Sequence, residues 1–375
     1  MSTQTPPDER NERVERNVPK PVFTDAEAGA LEFPSWQSRS FSYFTPRKRR
    51  STVYEDVTID VQPDPERHLS QGWIYGFANG DGAYPHEWTA LKSSNWHEFL
   101  DPNEEWEQTI YRSTANVVRQ VQQTVANAKA AHAFAGWNRS WVNIVERHVG
   151  AWAHAEHGIG LYVYTPAQRD APTNMINNAL AVGATHKLRF AQDLILYNLD
   201  VSEDLEGFDG SAHRDTWQND PLWQGVRENV ERLTATRDWA EAFFATGLIF
   251  EPLVGELFRS HFVMQMAAQQ GDYVTPAVMG TGEADAAREQ RGARHLFQLL
   301  LDDAQHGAEN RALMQEWLEK WAPLSFAAAR QLQPLWSQVS EKVVSFEDSL
   351  AAATLRFGDI LDELDLESPK EAVTR

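Results

Sequence analysis

From about residue 103 to about residue 365, apolar side chains recur every three or four positions with few interruptions. This spacing places them on one face of an α-helix, and almost no segment alternates with the period of two that is typical of strands. No internal repeat of about 30 to 45 residues stands out, which argues against a helical solenoid. The pattern therefore predicts an all-α protein built as a helix bundle.

Turn-forming residues divide this region into long helices. Asn103 precedes two glutamates, a sequence typical of a helix start, and the first helix is predicted to reach about residue 135. The second and third helices are expected over about 138–164 and 173–198, and further helices from about 213 to 365. Breaks are expected at Gly271-Asp272, Gly280 to Gly282, Gly307 and Ala322-Pro323.

Residues 1 to about 100 are rich in proline, serine and charge, and they lack long helical stripes. The run from Val57 to Val61 alternates apolar and polar residues near prolines, which predicts one short strand. The segment has too little apolar patterning to form its own core, so we expect it to order on a partner. We therefore predict three parts: residues 1–100 form an extended N-terminal arm for subunit assembly, residues 101–365 form the helical domain, and residues 366–375 form a polar tail.

Charge and cysteine content limit the function classes. The chain has 54 acidic and 34 basic residues and a formal net charge of −20, so neither nucleic acid nor an anionic membrane is an expected partner. The absence of cysteine excludes thiolate catalysis and cysteine-ligated iron–sulfur clusters. The polar first residues and the lack of an apolar run of about 20 residues predict no secretory signal and no membrane span, so a cytoplasmic location is expected.

Ionisable side chains interrupt the apolar stripes of four predicted helices. Such residues cost several kcal/mol in a core unless they are paired, hydrogen-bonded or bound to metal. One of them would be ordinary, but their presence on four long helices suggests that they meet in the bundle interior. The candidates are Glu156, His186, Glu251, Asp303 and His306.

The candidates follow the order of a ferritin-like di-iron site, in which two helices each supply a glutamate and two supply Glu-x-x-His. His186 and His306 would close the two motifs. However, Gly183 and Asp303 stand where the motif glutamates belong. Glycine cannot bind a metal, and aspartate is one methylene shorter than glutamate. These losses favour a metal-free remnant whose groups hydrogen-bond one another, with a mononuclear site or chance as alternatives. We assign no catalytic, cofactor-binding or metal-binding residue to this chain.

The sequence resembles the small (β) hydroxylase subunits of soluble bacterial multicomponent di-iron monooxygenases, and the propane-oxidising branch most closely. The resemblance covers nearly the whole chain. It is carried by the joint order of four segments, PRKRRSTVYEDVTIDV, FLDPNEEWEQTIYR, THKLRFAQDLILYNLD and LLLDDAQHGAEN. It implies a ferritin-like helix bundle, related to the small subunit of ribonucleotide reductase, with an extended N-terminal arm.

The resemblance also implies a supporting role in an enzyme complex. A paralogous large (α) subunit would hold the di-iron centre of an α₂β₂ hydroxylase that uses O₂ and NADH to hydroxylate propane or a similar small hydrocarbon; other alkanes, phenol and acetone stay open as substrates. A reductase with FAD and a 2Fe-2S cluster, together with a coupling protein, would serve this hydroxylase. The present chain would bind no cofactor. The alternatives are a stand-alone ferritin-like metal oxidase and a purely structural helical scaffold.

Overall fold

The computed structural model describes residues 51–59 and 88–369. Regular structure within these residues is helical and includes no strand, which confirms the predicted all-α class. The chain divides into two compact units, Met1–Pro85 with Pro172–Met175, and His86–Ala171 with Ile176–Arg375. Most of the predicted N-terminal arm, residues 1–50 and 60–87, lies outside the described residues.

The described part of the first unit contains a short helix, α1 (Val53–Thr58). The Thr52 side chain accepts a hydrogen bond from the Glu55 amide, and the Glu55 carboxylate accepts one from the Thr52 amide. This reciprocal capping box satisfies two backbone donors and starts the helix. The strand predicted for residues 57–61 is therefore wrong at residues 57–59, because local capping outweighs the alternating pattern.

From residue 107 onward, the described chain forms ten further helices. They are α2 (Glu107–Ala130), α3 (the continuous segments Arg139–Asn143, Ile144–Val149, Gly150–Gly158, Ile159–Tyr164 and Thr165–Asp170), α4 (Asn174–Asp204), α5 (His213–Asn219), α6 (Gln224–Ala235), α7 (Trp239–Phe244, Ala245–Gly255 and Leu257–Met264, joined through Glu256), α8 (Thr275–Leu301), α9 (Gly307–Gln331), α10 (Pro334–Gln338) and α11 (Phe346–Glu363). Short 3₁₀ turns are found at Trp96–Glu98, Ala133–Gly136, Pro221–Trp223 and Ala267–Gln270.

Helices α3 and α7 contain π-helical segments, in which each amide bonds to the carbonyl five residues earlier. In α3 these are Ile144–Val149 and Ile159–Tyr164, and in α7 they are Ala245–Gly255 and Leu257–Met264. Pro166 lies within this continuous helix, at the second position of the α segment that directly follows the second π segment of α3. Helix α3 therefore continues to Asp170, and the end predicted near Pro166 is wrong.

The predicted start of the first long helix is also wrong. Helix α2 begins at Glu107, and Asn103 lies in the preceding loop. The Asn103 side-chain amide donates to Asp101 Oδ1 at 2.8 Å and to the Arg288 carbonyl at 2.9 Å. Asn103 therefore holds the loop on α8 and does not cap α2.

Two of the four predicted breaks are confirmed. The chain turns at Gly271, whose φ is 82°, and α9 begins at Gly307 after the turn that follows α8. The other two breaks are wrong, because Gly282 lies inside α8 and Pro323 inside α9. A Cβ on Gly282 would overlap the Phe190 ring of α4, so this glycine permits close packing of α4 and α8.

Residues 88–100, the last part of the predicted arm, pack on the helical unit. Leu91 and Phe99 are buried. The Lys92 amide donates to Asn310 Oδ1 at 3.0 Å, and the Asn310 side chain donates back to the Lys92 carbonyl at 2.8 Å. The role of the arm in subunit assembly stays a prediction. Among the described residues, no helix has the length and apolar character needed to cross a membrane.

Candidate functional site

Six ionisable side chains from α3, α4, α7 and α8 meet in the bundle interior. We call them the charged cluster, and its members are Glu156, Lys187, Glu251, Arg259, Glu283 and Glu289. Five of these side chains are at most 5% exposed, whereas Glu283 is 21% exposed. Charges at this depth are tolerated only when each one is paired.

Lys187 of α4 lies among three carboxylates from the other three helices. Its Nζ contacts Glu251 Oε1, lies 3.2 Å from Glu156 Oε2, and lies 3.8 Å from Glu289 Oε2. An ammonium is a compact charge with three donors, so it can serve several carboxylates at once. Lys187 therefore joins α4 to α3, α7 and α8 through a single atom.

Arg259 of α7 forms the second cationic group of the cluster. Nη1 donates to Glu156 Oε1 at 3.0 Å, Nη2 to Glu251 Oε2 at 2.6 Å, and Nε to Glu283 Oε1 at 2.7 Å. The guanidinium also lies over the Trp152 ring, 5.3 Å from its centroid. The planar fork of arginine suits this binding to several carboxylates.

The position of Arg259 on α7 depends on a glycine. Glu251 and Arg259 lie eight residues apart, and Gly255 stands midway between them. A Cβ on Gly255 would meet Glu251 Oε2 and both terminal nitrogens of Arg259. The ion pair therefore runs along the helix surface through the space that a side chain would otherwise fill.

Tyr164 and Gly183 shape the other end of the cluster. The Tyr164 hydroxyl donates to Glu289 Oε1. A Cβ on Gly183 would lie 3.1 Å from the Tyr164 ring. The tyrosine ring thus fills the space beside α4 where a glutamate at position 183 would begin. Gly183 matters here as a contact surface for that ring.

Pairing keeps the cations and Glu251 charged. Burial alone would lower the pKa of Lys187, but the three surrounding carboxylates outweigh burial and hold this pKa above its usual range. Arg259 follows the same pattern, with its pKa raised by the neighbouring carboxylates against the effect of burial. Burial would raise the pKa of Glu251, but Arg259 and Lys187 lower it to about 2.

Glu289 differs from Glu251 in its protonation. Burial raises the pKa of Glu289 to about 7, since the opposing attraction of Lys187 is not strong enough and the charge on Glu251 adds to the shift. Burial, together with Glu289, also holds the pKa of Tyr164 well above its usual range, so Tyr164 stays a neutral donor. Near neutral pH, the cluster can therefore take up or release a proton at Glu289.

Two of the five candidate residues come together, although they face the same two cations and do not hydrogen-bond one another as predicted. Glu156 and Glu251 both belong to the charged cluster. His186 is buried, as predicted, but it lies in a different polar group, with Nε2 3.8 Å from Asp285 Oδ1. Burial lowers the pKa of His186 to about 4, so it is neutral at physiological pH.

The placement predicted for Asp303 and His306 is wrong. Helix α8 ends at Leu301, so both residues lie in the turn before α9, and neither is buried. Asp303 Oδ2 accepts from the Ser94 amide at 2.6 Å, and Oδ1 accepts from the His306 amide at 3.0 Å. These backbone bonds, the Ser94 bond first among them, hold the pKa of Asp303 well below its usual range.

Four cluster residues were missed, although the sequence carried weak signals for them. Lys187 follows His186 directly on an otherwise apolar face, and Arg259 lies eight residues after Glu251 on a strongly apolar helix. Glu283 and Glu289 lie on α8, N-terminal to the apolar stripe Leu296, Leu299 that precedes Asp303. Glu289, the last carboxylate of the cluster, therefore lies fourteen residues before Asp303, the position that the sequence predicts for it.

The described residues do not fit the di-iron pattern. They contain no group of three or more histidine, aspartate or glutamate side chains arranged to hold a metal. No histidine belongs to the charged cluster. Its four carboxylates already face Lys187 or Arg259. Whether the purified chain binds any metal stays a prediction for experiment.

Comparisons with known proteins place this site in context. A family model described as Methane/Phenol/Alkene Hydroxylase matches residues 73–304. A protein of Rhodococcus jostii (strain RHA1) is 58% identical over 96% of this chain and 98% of its own length, and one of Mycolicibacterium goodii is 58% identical over 95% and 97%. Each is named propane 2-monooxygenase, hydroxylase component small subunit.

A solved structure is similar in fold. The crystal structure of xenon-pressurised phenol hydroxylase from Pseudomonas sp. OX1 aligns with a TM-score of 0.71 at 17% identity, covering 85% of this chain and 92% of the other. At this identity the likeness concerns the fold alone. It confirms the predicted ferritin-like helical fold.

Proposed function

Because the chain belongs to the methane/phenol/alkene hydroxylase family, we propose that it is the small subunit of the hydroxylase component of a propane 2-monooxygenase. The observation that carries this proposal is the identity, over nearly the whole chain, to proteins of that name. In this role the chain supports hydroxylation of propane, or of a similar small hydrocarbon, by a large subunit.

The charged cluster supports a non-catalytic role. In a carboxylate oxygenase the bundle interior would present glutamates and histidines to metal ions. Here Glu156 and Glu251 face the cations Lys187 and Arg259 instead. The di-iron centre and the substrate pocket are accordingly proposed for a paralogous large subunit. An added helical layer can help such a subunit to hold its ligands in place.

The wider assembly follows from the same proposal. We propose an α₂β₂ hydroxylase in the cytoplasm, served by a coupling protein and by a reductase that carries FAD and a 2Fe-2S cluster and oxidises NADH. A stand-alone metal oxidase is a weaker candidate, since it would require free carboxylates in the cluster. A purely structural scaffold is weaker too, because it would give no reason for close relatives within a monooxygenase.

The test is reconstitution of propane hydroxylation. The large subunit would be produced with this chain, without it, and with a chain carrying Glu228→Gln as a surface control outside the arm. After addition of coupling protein, reductase, NADH and O₂, 2-propanol would be measured. We expect this chain to co-purify with the large subunit and 2-propanol to form only when both are present. Full activity of the large subunit alone, or oxidation by this chain alone, would contradict the proposal.

A further inference from the structure

Glu156 and Glu251 connect the same two cations, each with both of its carboxylate oxygens. Glu156 Oε2 and Glu251 Oε1 face Lys187 Nζ, while Glu156 Oε1 and Glu251 Oε2 accept hydrogen bonds from Arg259. The remaining two carboxylates each serve one cation only. Glu289 stands at Lys187, and Glu283 at Arg259.

This is the connectivity of a dinuclear carboxylate centre, with two bridging carboxylates and one terminal carboxylate at each end. We infer that the Lys187 ammonium and the Arg259 guanidinium occupy the two cation positions of such a centre, and that the Lys187 side chain keeps a divalent metal ion out of it. The inference concerns this chain's own residues and does not depend on the proposed function.

Lys187 stands at the position that a metal ion could take more readily. Three carboxylates from three helices converge on its Nζ atom, which is a compact charge. The Arg259 position is shaped instead for a planar group that donates from three nitrogens. Both side chains are nearly inaccessible to solvent, so a metal ion would have to displace a buried partner.

A tethered cation has an advantage over a dissolved one. The Lys187 ammonium is part of the chain, so its effective concentration at the three carboxylates does not fall on dilution. The carboxylates raise the pKa of Lys187, so the group stays charged and cannot leave by losing its proton at neutral pH. A divalent ion would therefore have to displace a tethered cation that already pairs with these three carboxylates.

Removal of the Lys187 side chain would leave the three carboxylates without this cation. The oxygens of Glu156, Glu251 and Glu289 would surround a vacated volume, and only Arg259 would remain to compensate them. Uncompensated buried charge is strongly destabilising. Oxygen donors of this kind suit hard divalent ions such as Mn²⁺, which would restore the missing positive charge.

The experiment compares four full-length chains in a titration with MnCl₂. They are wild type, Lys187→Ala, Lys187→Met and Lys92→Ala. Met fills the lysine volume without a charge, and Lys92 is an exposed lysine paired with Glu309. Loss of the free Mn²⁺ signal in electron paramagnetic resonance measures uptake, and circular dichroism measures folding and melting. We expect Lys187→Ala to bind about one Mn²⁺ per chain and to melt at a higher temperature with MnCl₂. The other three chains should do neither.

A second change locates the ion. Adding Glu156→Gln to Lys187→Ala should abolish Mn²⁺ uptake, and retained uptake would place the ion elsewhere and overturn the inference. Stoichiometric uptake by wild type at these carboxylates would also overturn it. A Lys187→Ala chain that is folded but binds no Mn²⁺ would do the same. A Lys187→Ala chain that stays unfolded in MnCl₂ would also overturn the inference, because the ion should supply the missing positive charge.

Discussion

Arg259 Nη2 lies 2.6 Å from Glu251 Oε2, although the two residues are eight positions apart on the same helix. Eight positions correspond to about two helical turns, so side chains at this separation do not normally touch unless both extend along the axis. The path between them is open because Gly255 has no side chain. One glycine thus permits an ion pair that holds two members of the charged cluster.

Gly255→Ala should destabilise the chain. The added methyl group would meet both partners of the Glu251–Arg259 pair, and we expect a loss of about 1–3 kcal/mol, as for an overpacked core. The control is Gly358→Ala on α11, where a Cβ meets nothing within 4 Å. That change should be neutral or stabilising by about 0.5–1 kcal/mol. Urea unfolding would measure both, and equal effects at the two sites would refute the steric argument.

Lys187→Met should be among the most destabilising changes in the cluster. It removes one partner of a buried ion network and leaves carboxylates uncompensated, for which about 3–5 kcal/mol is expected. Lys129→Met is the matched control, because Lys129 also pairs with two carboxylates but lies near the surface. Its loss should stay below about 1 kcal/mol. Similar losses for both variants in urea unfolding would contradict the role assigned to burial.

Glu289 should make stability depend on pH. Its pKa is raised from an ordinary 4.5 to about 7, so between these pH values the folded chain binds a proton that the unfolded chain has released. This contribution is fully present below about pH 4.5 and is lost as the pH rises through about 7. In Glu289→Gln the contribution is absent.

The measurement is the difference in unfolding free energy between wild type and Glu289→Gln at pH 5, 6, 7 and 8. Burial lowers the pKa values of His148, His154 and His186, so these histidines make stability rise with pH. Their contribution is the same in both proteins and cancels in the difference. As the pH rises to 7, the unfolding free energy of wild type should fall relative to that of the variant by at most about 1.4 kcal/mol per pH unit. Above pH 7 the difference should become constant. A constant difference across this range would count against the assignment. Glu228→Gln, at an exposed site, serves as the control.

The turn before α9 should depend on Asp303 and not on the His306 ring. Asp303 accepts the amide of His306 and both donors of Ser94, so Asp303→Ala should cost about 1–2 kcal/mol, as for the loss of a helix cap. His306→Ala keeps the backbone amide and should cost less than about 0.5 kcal/mol. Chemical unfolding of the two variants gives the comparison. A larger loss at His306 would restore the original view of an Asp303–His306 side-chain pair.

The N-terminal arm is predicted to assist assembly. Residues 1–50 lie outside the described residues, and their sequence contains the aromatic residues Phe41, Tyr43 and Phe44, which are of a kind that anchors interfaces. Deletion of residues 1–50 should weaken binding to the large subunit while leaving helix content nearly unchanged. Binding would be followed by calorimetry and helix content by circular dichroism. Unchanged affinity would refute this role.

The sequence was sufficient to find two buried glutamates. Glu156 and Glu251 fall on stripes of large apolar residues, and a helical period alone is enough to place them inside. The long helices were likewise predictable, because their stripes extend over many turns. Pro166 and Pro323 misled the prediction of helix ends, since a proline at the start of a segment or within a long packed helix does not always end it.

The partners of those glutamates could not be found in the same way. Lysine and arginine are usually surface residues, so the apolar surroundings of Lys187 and Arg259 in the sequence are too weak a signal to predict their burial. The π segments also shift the angular position of every later side chain, which a period of 3.6 does not anticipate. At Asp303 the stripe continued past the true helix end at Leu301, because no residue there marks the stop.

The two cations of the charged cluster also bear on the order of events after synthesis. A core that is closed by dissolved metal waits for an encounter whose rate depends on the supply of that metal. In this chain the positive charges of Lys187 and Arg259 are made together with the glutamates they meet. Closure of the core is then a first-order step within one molecule. If no metal ion enters the cluster, as we infer, the core should close at the same rate in iron-poor and iron-rich cells.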